Sequence, residues 1–175
     1  MPLVLPPSVL GFYLLMAFSP KNSFGAFLLD RFDLKLVFSF EGLVVASIIF
    51  SLPFMVNPIH SGFTSLSPSL KEASYTLGKG FFTTLWRVLL PNIKPSLLSA
   101  TVISFAHTIG EFGVVLMIGG NIAGETKVAS IAIYDEVESL NYAAANEYAL
   151  TLFVLTFAIL LVVYSLNKRS LHNEF

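Results

Sequence analysis

The sequence predicts an all-α integral membrane protein with about four transmembrane helices. Of its 175 residues, 55% are hydrophobic and only 12% are charged, and the mean hydropathy is +0.77. Soluble domains carry about 25% charged residues, so lipid rather than water is indicated as the solvent. The apolar runs have the length of roughly 20 residues that a membrane-spanning helix needs, and they lack the alternation that is typical of barrel strands.

Spans are predicted at 2–19, 36–56, 97–120 and 148–166. The first is N-terminal, but it lacks the basic region and the small-residue cleavage site of a signal peptide, and Pro6-Pro7 interrupt its start. We interpret it as a retained span, with a re-entrant segment as the alternative. Only the second and third spans contain an acidic residue or a histidine, which are Glu41, His107 and Glu111.

The distribution of lysine and arginine predicts the orientation, because basic residues collect in cytoplasmic loops. Loop 59–96 and the C-terminal tail carry Lys71, Lys79, Arg87, Lys94, Lys168 and Arg169, whereas the opposite side carries Lys21, Arg31, Lys35 and Lys127. The loop and the C-terminus are therefore predicted to be cytoplasmic.

Composition also argues against several functions. A net charge of −1 leaves no broad cationic face for nucleic acid, and the absence of cysteine excludes disulfides and thiolate metal sites. Gly78-Lys79-Gly80 lacks the remaining residues of a Walker A motif. No metal, cofactor or catalytic residue is predicted, because the three histidines have no metal-ligand spacing: His60, His107 and His172.

The loop 59–96 is too long for a simple connection and has helical periodicity. Its apolar residues recur at Leu66, Leu70, Ala73, Leu77, Phe81 and Leu85. A helix could start at a Ser69–Glu72 capping box or at Ser67-Pro68, and Gly78 suits its end. Pro91 then breaks the chain before the third span. An interfacial helix anchored by Trp86 is the plain alternative.

The spacing within this loop resembles the EAA signature of ABC-importer membrane subunits. Glu72-Ala73-Ser74 is followed by three residues, Gly78, nine residues and Val88-x-Leu90-Pro91. Serine for the third alanine and Val88 for isoleucine are the departures. In that family the helix docks on the cytoplasmic ATPase subunit and transmits its motion, so the resemblance implies an ATPase-docking role for these residues: Glu72, Ala73, Ser74, Gly78, Leu90 and Pro91.

The N-terminal LVLPPSVLGFYLL, the EAA loop and TIGEFGVVLMIGGNIAGETKVASIAIY together are similar to the molybdate permease family of type I ABC importers. The resemblance implies a transport subunit of the bacterial inner membrane that is not itself an enzyme. It implies as partners a second permease copy in a homodimer, cytoplasmic ATPase subunits, a periplasmic or lipid-anchored oxyanion-binding protein, and membrane lipid. A sulfate/thiosulfate or tungstate permease is the alternative. Family members usually carry one or two further spans upstream of the Leu-Pro-Pro segment, which this chain is expected to lack.

Polar residues in the third span are candidates for the translocation pathway or its gate. His107, where many relatives carry arginine, and Glu111 are four residues apart and therefore share a helix face. They line a pathway, form a buried structural pair, or serve a proton-coupled carrier, which is the less favoured function. The full candidate set is Thr101, Ser104, His107, Thr108, Gly110, Glu111 and Gly113, with the two glycines allowing close helix approach across the dimer.

No lysine or arginine lies inside any predicted span. A fixed anion site of high affinity is therefore not expected, and selectivity is predicted to reside in the external binding protein. The segment 121–147 predicts a short amphipathic helix with Asp135, Glu136 and Glu138 on its wet side. It resembles the periplasmic gate helix of the family, and a plain solvated face is the alternative.

Overall fold

A computed structural model describes the backbone of residues 5–172 and the side chains of residues 5–165. Between these limits the chain forms helices joined by turns, with no strand, in agreement with the predicted all-α class. The helices are α1 (Pro7–Phe18), α2 (Ser23–Phe32), α3 (Phe40–Ser65), α4 (Pro68–Thr76), α5 (Phe81–Thr84), a π-helical turn (Leu85–Leu89), α6 (Leu90–Asn92), α7 (Lys94–Ile109), α8 (Gly113–Gly119), α9 (Ala129–Glu138) and α10 (Tyr142–His172).

The described residues form two compact units, 5–51 with 106–172, and 52–105. In the first unit, α1 packs against α8 through glycines. A Cβ on Gly11 would lie 2.9 Å from the Met117 Cβ, and one on Gly113 would lie 3.0 Å from the Ser8 amide nitrogen. The core of this unit includes Leu43, Val115 and Ile131, which come from α3, α8 and α9.

In the second unit, α3 and α7 approach each other at Gly62. A Cβ at this position would lie 2.6 Å from the Ser96 Cβ, so a larger residue would force the helices apart. Pro53 and Pro58 lie inside α3. Prolines are tolerated in membrane helices because neighbouring groups satisfy the freed backbone atoms.

Within the described part of the chain, two helices are long and apolar enough to cross a membrane. They are α3, with 26 residues, and the part of α10 from Tyr142 to Ser165, with 24 residues. Helix α3 overlaps the predicted span 36–56 from Phe40 onward and continues to Ser65, and the apolar part of α10 overlaps the predicted span 148–166 as far as Ser165. Of the predicted span 2–19, residues 2–4 lie outside the described residues; helix α1 accounts for 12 residues of the remainder, and a straight crossing needs about 20.

The predicted span 97–120 is divided between two helices. Helix α7 ends at Ile109 and α8 begins at Gly113. The break has a local cause, because Phe112 leaves helical geometry with φ −121° and the Glu111 side chain binds the first turn of α8. Helix α7 instead follows the segment Phe81–Asn92 at a bend of 72°, and this bent pair together is long and apolar enough for one span.

Candidate functional site

Helix α4 begins at Pro68, directly after Ser67. Proline suits the first helical position because its missing N–H would have no partner there and its φ is already helical. The alternative start at Ser67-Pro68 is therefore the one that forms. The capping box centred on Ser69 is not used, because Ser69 lies inside the helix and its hydroxyl is 2.7 Å from that of Ser67.

Helix α4 ends in a Schellman motif at Gly78, as the sequence predicts. The Lys79 amide donates to the Ser74 carbonyl at 3.1 Å, and the Gly78 amide donates to the Tyr75 carbonyl at 2.9 Å. Gly78 has φ +72°, and a Cβ there would meet nothing within 4 Å. The requirement for glycine thus comes from the left-handed backbone and not from lack of space.

The predicted docking residues divide by exposure. Glu72, Ala73, Gly78 and Pro91 are exposed and Leu90 is half-buried, whereas Ser74 is buried at 5%. Several large apolar side chains beside them are more than half exposed: Leu77 at 75%, Phe82 at 74%, Trp86 at 68% and Phe81 at 58%. A concentration of exposed apolar side chains of this size marks a surface for a partner or for lipid.

The π-helical turn lies immediately before Pro91 and was missed in the sequence. The Leu90 amide donates to the carbonyl of Leu85, five residues earlier, which widens the helix by one residue. A proline in a regular helix would clash with the carbonyl four residues before it, so the wider turn accommodates Pro91. This proline is the only local signal that could have predicted the turn.

Four of the predicted pathway residues lie on α7, and their environments differ. The Thr101 hydroxyl donates to the carbonyl of Leu97 in its own helix at 3.0 Å. Ser104 is buried at 8%, whereas His107 and Thr108 are exposed. Gly110 follows the end of α7, where its amide still bonds to the Ala106 carbonyl.

Glu111 is 6% exposed and is held from two directions. Its Oε1 accepts a hydrogen bond of 2.7 Å from the Val114 amide, in the first turn of α8. Its carbonyl accepts a 2.7 Å hydrogen bond from the Ser130 hydroxyl of α9. A carboxylate at a helix N-terminus satisfies an otherwise unpaired donor and complements the helix dipole. Glu111 therefore joins the start of α8 to α9. Nothing in the sequence indicated that Ser130 would take part in this contact.

Thr108 and Glu111 line a cavity of about 480 Å³. Two further hydroxyl residues, Ser47 and Ser51, line it from α3, and both were missed in the sequence. Their spacing of four residues on a span, which puts both on one helix face, was the available signal. The remaining lining is largely apolar: Phe40, Leu43, Val44, Ile48, Ile109, Val115, Val128, Ala129 and Leu152.

The segment 119–128 is closed on itself by Thr126, which is 1% exposed. The Thr126 hydroxyl donates to the Gly119 carbonyl at 2.6 Å and accepts from the Ile122 amide at 2.9 Å. This arrangement explains why the GNIAGET stretch has a compact conformation, with Gly124 at φ +79°.

The amphipathic helix predicted in 121–147 is present as α9, and its Asp135 is paired. Lys127 Nζ lies 2.5 Å from Asp135 Oδ2, and Asn121 Nδ2 donates to both carboxylate oxygens. These hydrogen bonds, from Lys127 first and Asn121 second, lower the pKa of Asp135, and the same contact raises the pKa of Lys127. A hydrogen bond to Glu138 raises the pKa of Tyr134. One of the three predicted wet acids thus fastens the preceding loop to α9.

These features define a class of protein. Long apolar helices and an exposed segment with the EAA spacing are typical of a helical membrane subunit of a transport system. The chain belongs to the family of binding-protein-dependent transport system inner membrane components, which it matches over residues 1–171. Its fold is that of the type I ABC-importer permeases.

Individual relatives carry more specific names. The chain is 42% identical over 168 residues to the molybdenum transport system permease protein ModB of Azotobacter vinelandii, which covers 96% of this chain and 74% of that protein. It is 35% identical over 167 residues to the sulfate transport system permease protein CysT of Salmonella typhimurium, covering 95% of this chain and 59% of the relative. It is 34% identical over 139 residues to ModB of Escherichia coli K12, covering 79% of this chain and 61% of the relative.

Proposed function

We propose that this chain is the membrane-spanning permease subunit of an ATP-driven importer for molybdate. The observation that carries the proposal is the docking segment 68–92, in which an exposed helix ends in a glycine turn beside exposed Leu77, Phe82 and Trp86. The similarity to molybdenum transport permeases supports molybdate, and the sulfate permeases supply the alternative anion.

The ATPase subunit is the proposed partner of the docking segment. The apolar side chains here are 58–75% exposed, and burying them in a cleft of the partner, away from water or the headgroup region, is favourable. Glu72 is exposed beside them and can pair with a cationic group of that cleft. ATP hydrolysis then belongs to the partner, and the permease passes on the movement.

The proposed arrangement places loop 59–96 and the C-terminus in the cytoplasm, and segment 121–147 on the outside of the inner membrane. The loop and the C-terminal tail together carry six lysine and arginine residues against four on the opposite side, which supports this orientation. An external oxyanion-binding protein then delivers its anion to the outer segment. A homodimer of permeases completes the pathway.

The cavity beside Thr108 is the proposed part of the anion pathway in each subunit. The hydroxyl residues Ser47, Ser51 and Thr108 line it, and an oxyanion can replace the Ile48 carbonyl as the acceptor of the Ser51 hydroxyl without the strong attraction of a fixed cation. The Glu111 carboxylate is held by the Val114 amide, so its position is fixed at one wall. A pathway of this kind binds weakly enough to release its anion.

The test is transport by the importer reconstituted in liposomes with its ATPase subunits and binding protein. We expect uptake of radiolabelled molybdate that requires internal ATP and the loaded binding protein, and that sulfate competes only weakly. Equal competition by sulfate would move the assignment to the alternative anion. Uptake driven by a proton gradient without ATP would contradict the proposal and favour a carrier that uses His107 and Glu111.

A further inference from the structure

A buried pair of hydroxyl groups connects the docking helix to the helix that follows it. Ser74 Oγ of α4 lies 2.9 Å from Thr84 Oγ1 at the end of α5. The two residues are 5% and 1% exposed. Polar groups so deeply buried have few alternative partners, and losing one of them leaves the other unsatisfied.

Counting protons gives the direction of this contact. Each hydroxyl carries a single hydrogen, and the Thr84 hydroxyl also lies 3.1 Å from the Gly80 carbonyl, which can only accept. Thr84 therefore donates to Gly80, and Ser74 donates to Thr84. The resulting chain of hydrogen bonds runs from α4 through α5 to the turn between them.

The pair bridges a turn whose glycines add no side-chain packing. A Cβ on either Gly78 or Gly80 would meet nothing within 4 Å. The Ser74 carbonyl also accepts the hydrogen bond from Lys79 that closes the helix end. One residue thus contributes its backbone to the end of α4 and its side chain to the contact with α5.

We propose that Ser74 and Thr84 are positioning residues that hold the angle between α4 and α5. A displacement of α4 by the ATPase is then passed to the segment 81–92 and is not absorbed by the turn. The EAA signature has alanine where this chain has Ser74, and alanine fills similar space but donates no hydrogen bond. This inference rests on the proposed function, because it assigns the pair a part in coupling.

The experiment compares Ser74→Ala, Thr84→Val and the double variant in the reconstituted importer. The readout is the number of molybdate ions imported per ATP hydrolysed, measured alongside the amount of ATPase that co-purifies. We expect each single variant to lower this ratio about fivefold, the effect on an equilibrium of losing one net hydrogen bond, with assembly retained. The double variant should be no worse than the poorer single variant, because both changes remove the same contact.

Thr84→Ser keeps the hydroxyl and should retain most of the coupling. Thr76→Val is the matched control, because the Thr76 hydroxyl is exposed and donates to the Glu72 carbonyl within its own helix α4. A normal ratio in both single variants, or additive losses in the double variant, would overturn the inference while leaving the transport function intact. A wild-type importer without ATP-driven uptake would instead overturn the proposed function, and the inference with it.

Discussion

The docking segment 68–92 and the region around Glu111, residues 108–139, differ in how far they bury their large apolar side chains. In the docking segment, Leu77 and Phe82 are about three-quarters exposed. In the Glu111 region, Ile118 and Ile131 are fully buried, and polar Thr126 is buried with them. The first region therefore has the exposed apolar surface that the proposed contact with the ATPase requires. The second region has a buried core formed by residues of this chain.

The difference teaches how to judge an ionisable residue in an apolar sequence. Such residues default to functional hypotheses because burying them is costly. The Glu111 side chain offsets part of that cost by accepting a hydrogen bond from the Val114 amide, and its backbone carbonyl accepts one from the Ser130 hydroxyl. Its structural role is therefore supported by named hydrogen bonds, whereas a role in the pathway remains a proposal.

The largest expected effect is that of Gly78→Val in the docking segment. A β-branched residue at φ +72° costs roughly 1–2 kcal/mol or more, so α4 should lose its defined end. We expect loss of ATP-driven molybdate uptake with membrane insertion retained, measured in reconstituted liposomes.

Gly80→Val is the matched control for this change. Gly80 also has open space around its Cβ, but its φ of −73° suits any residue. Gly78→Asn should be intermediate, because asparagine tolerates the left-handed region. Equal uptake by Gly78→Val and Gly80→Val would show that the turn geometry does not matter for coupling.

A smaller effect is expected for Glu111→Leu in the second region. Removing the acceptor of the Val114 amide should lower the free energy of unfolding by about 1–3 kcal/mol. Glu111→Gln retains a carbonyl acceptor and should remain close to wild type. The measurement for both variants is thermal unfolding in detergent, with the fraction of protein that remains monodisperse as the readout. If the two variants are equally destabilised, the negative charge and not the hydrogen bond is what the structure requires.

His107→Leu tests whether Glu111 depends on His107 as a partner or on its hydrogen bond from the Val114 amide. If His107 and Glu111 act as a coupled pair, this change should destabilise the protein about as much as Glu111→Leu, and His107→Arg should be tolerated. Because Glu111 already has the Val114 amide as a donor, we expect a loss below about 1 kcal/mol for this exposed histidine. The same unfolding assay measures this loss of stability. A loss equal to that of Glu111→Leu would support the hypothesis that His107 and Glu111 are a coupled pair.

The smallest effect is expected at Asp135, which holds the loop 121–127 to α9. Spin labels on cysteines introduced at Ala123 and Ser139 report the distance between the loop and the end of α9, since the chain has no cysteine of its own. Because folding lowers the pKa of Asp135 from 3.8, its contribution is present above that value and is lost as the pH falls through the lower folded value. The raised pKa of Lys127 means that the contribution is lost again as the pH rises through a value above 10.5.

The distance distribution should therefore be narrow at neutral pH and broad at both extremes. Asp135→Asn should broaden it modestly at neutral pH, because the ion pair with Lys127 is partly exposed. A distribution that stays narrow in this variant at neutral pH would mean that Thr126 alone holds the loop.

The sequence by itself determined the helical membrane class, and it determined helix α4 with its glycine end. These features depend on composition and on residues within one or two helical turns, such as Pro68 at the start of α4 and Gly78 after its end. The family pattern was visible for the same reason, since its spacing is local.

Only the tertiary structure decided what the buried polar residues do. Ser74 and Thr84 are ten residues apart, and Ser130 lies nineteen residues from the Glu111 carbonyl that it binds. The division of 97–120 at Phe112 has a local cause instead, because the Glu111 side chain accepts a hydrogen bond from the Val114 amide in the first turn of α8. Hydropathy averages over such contacts, because a hydrogen bond between distant residues leaves no periodic trace in the sequence.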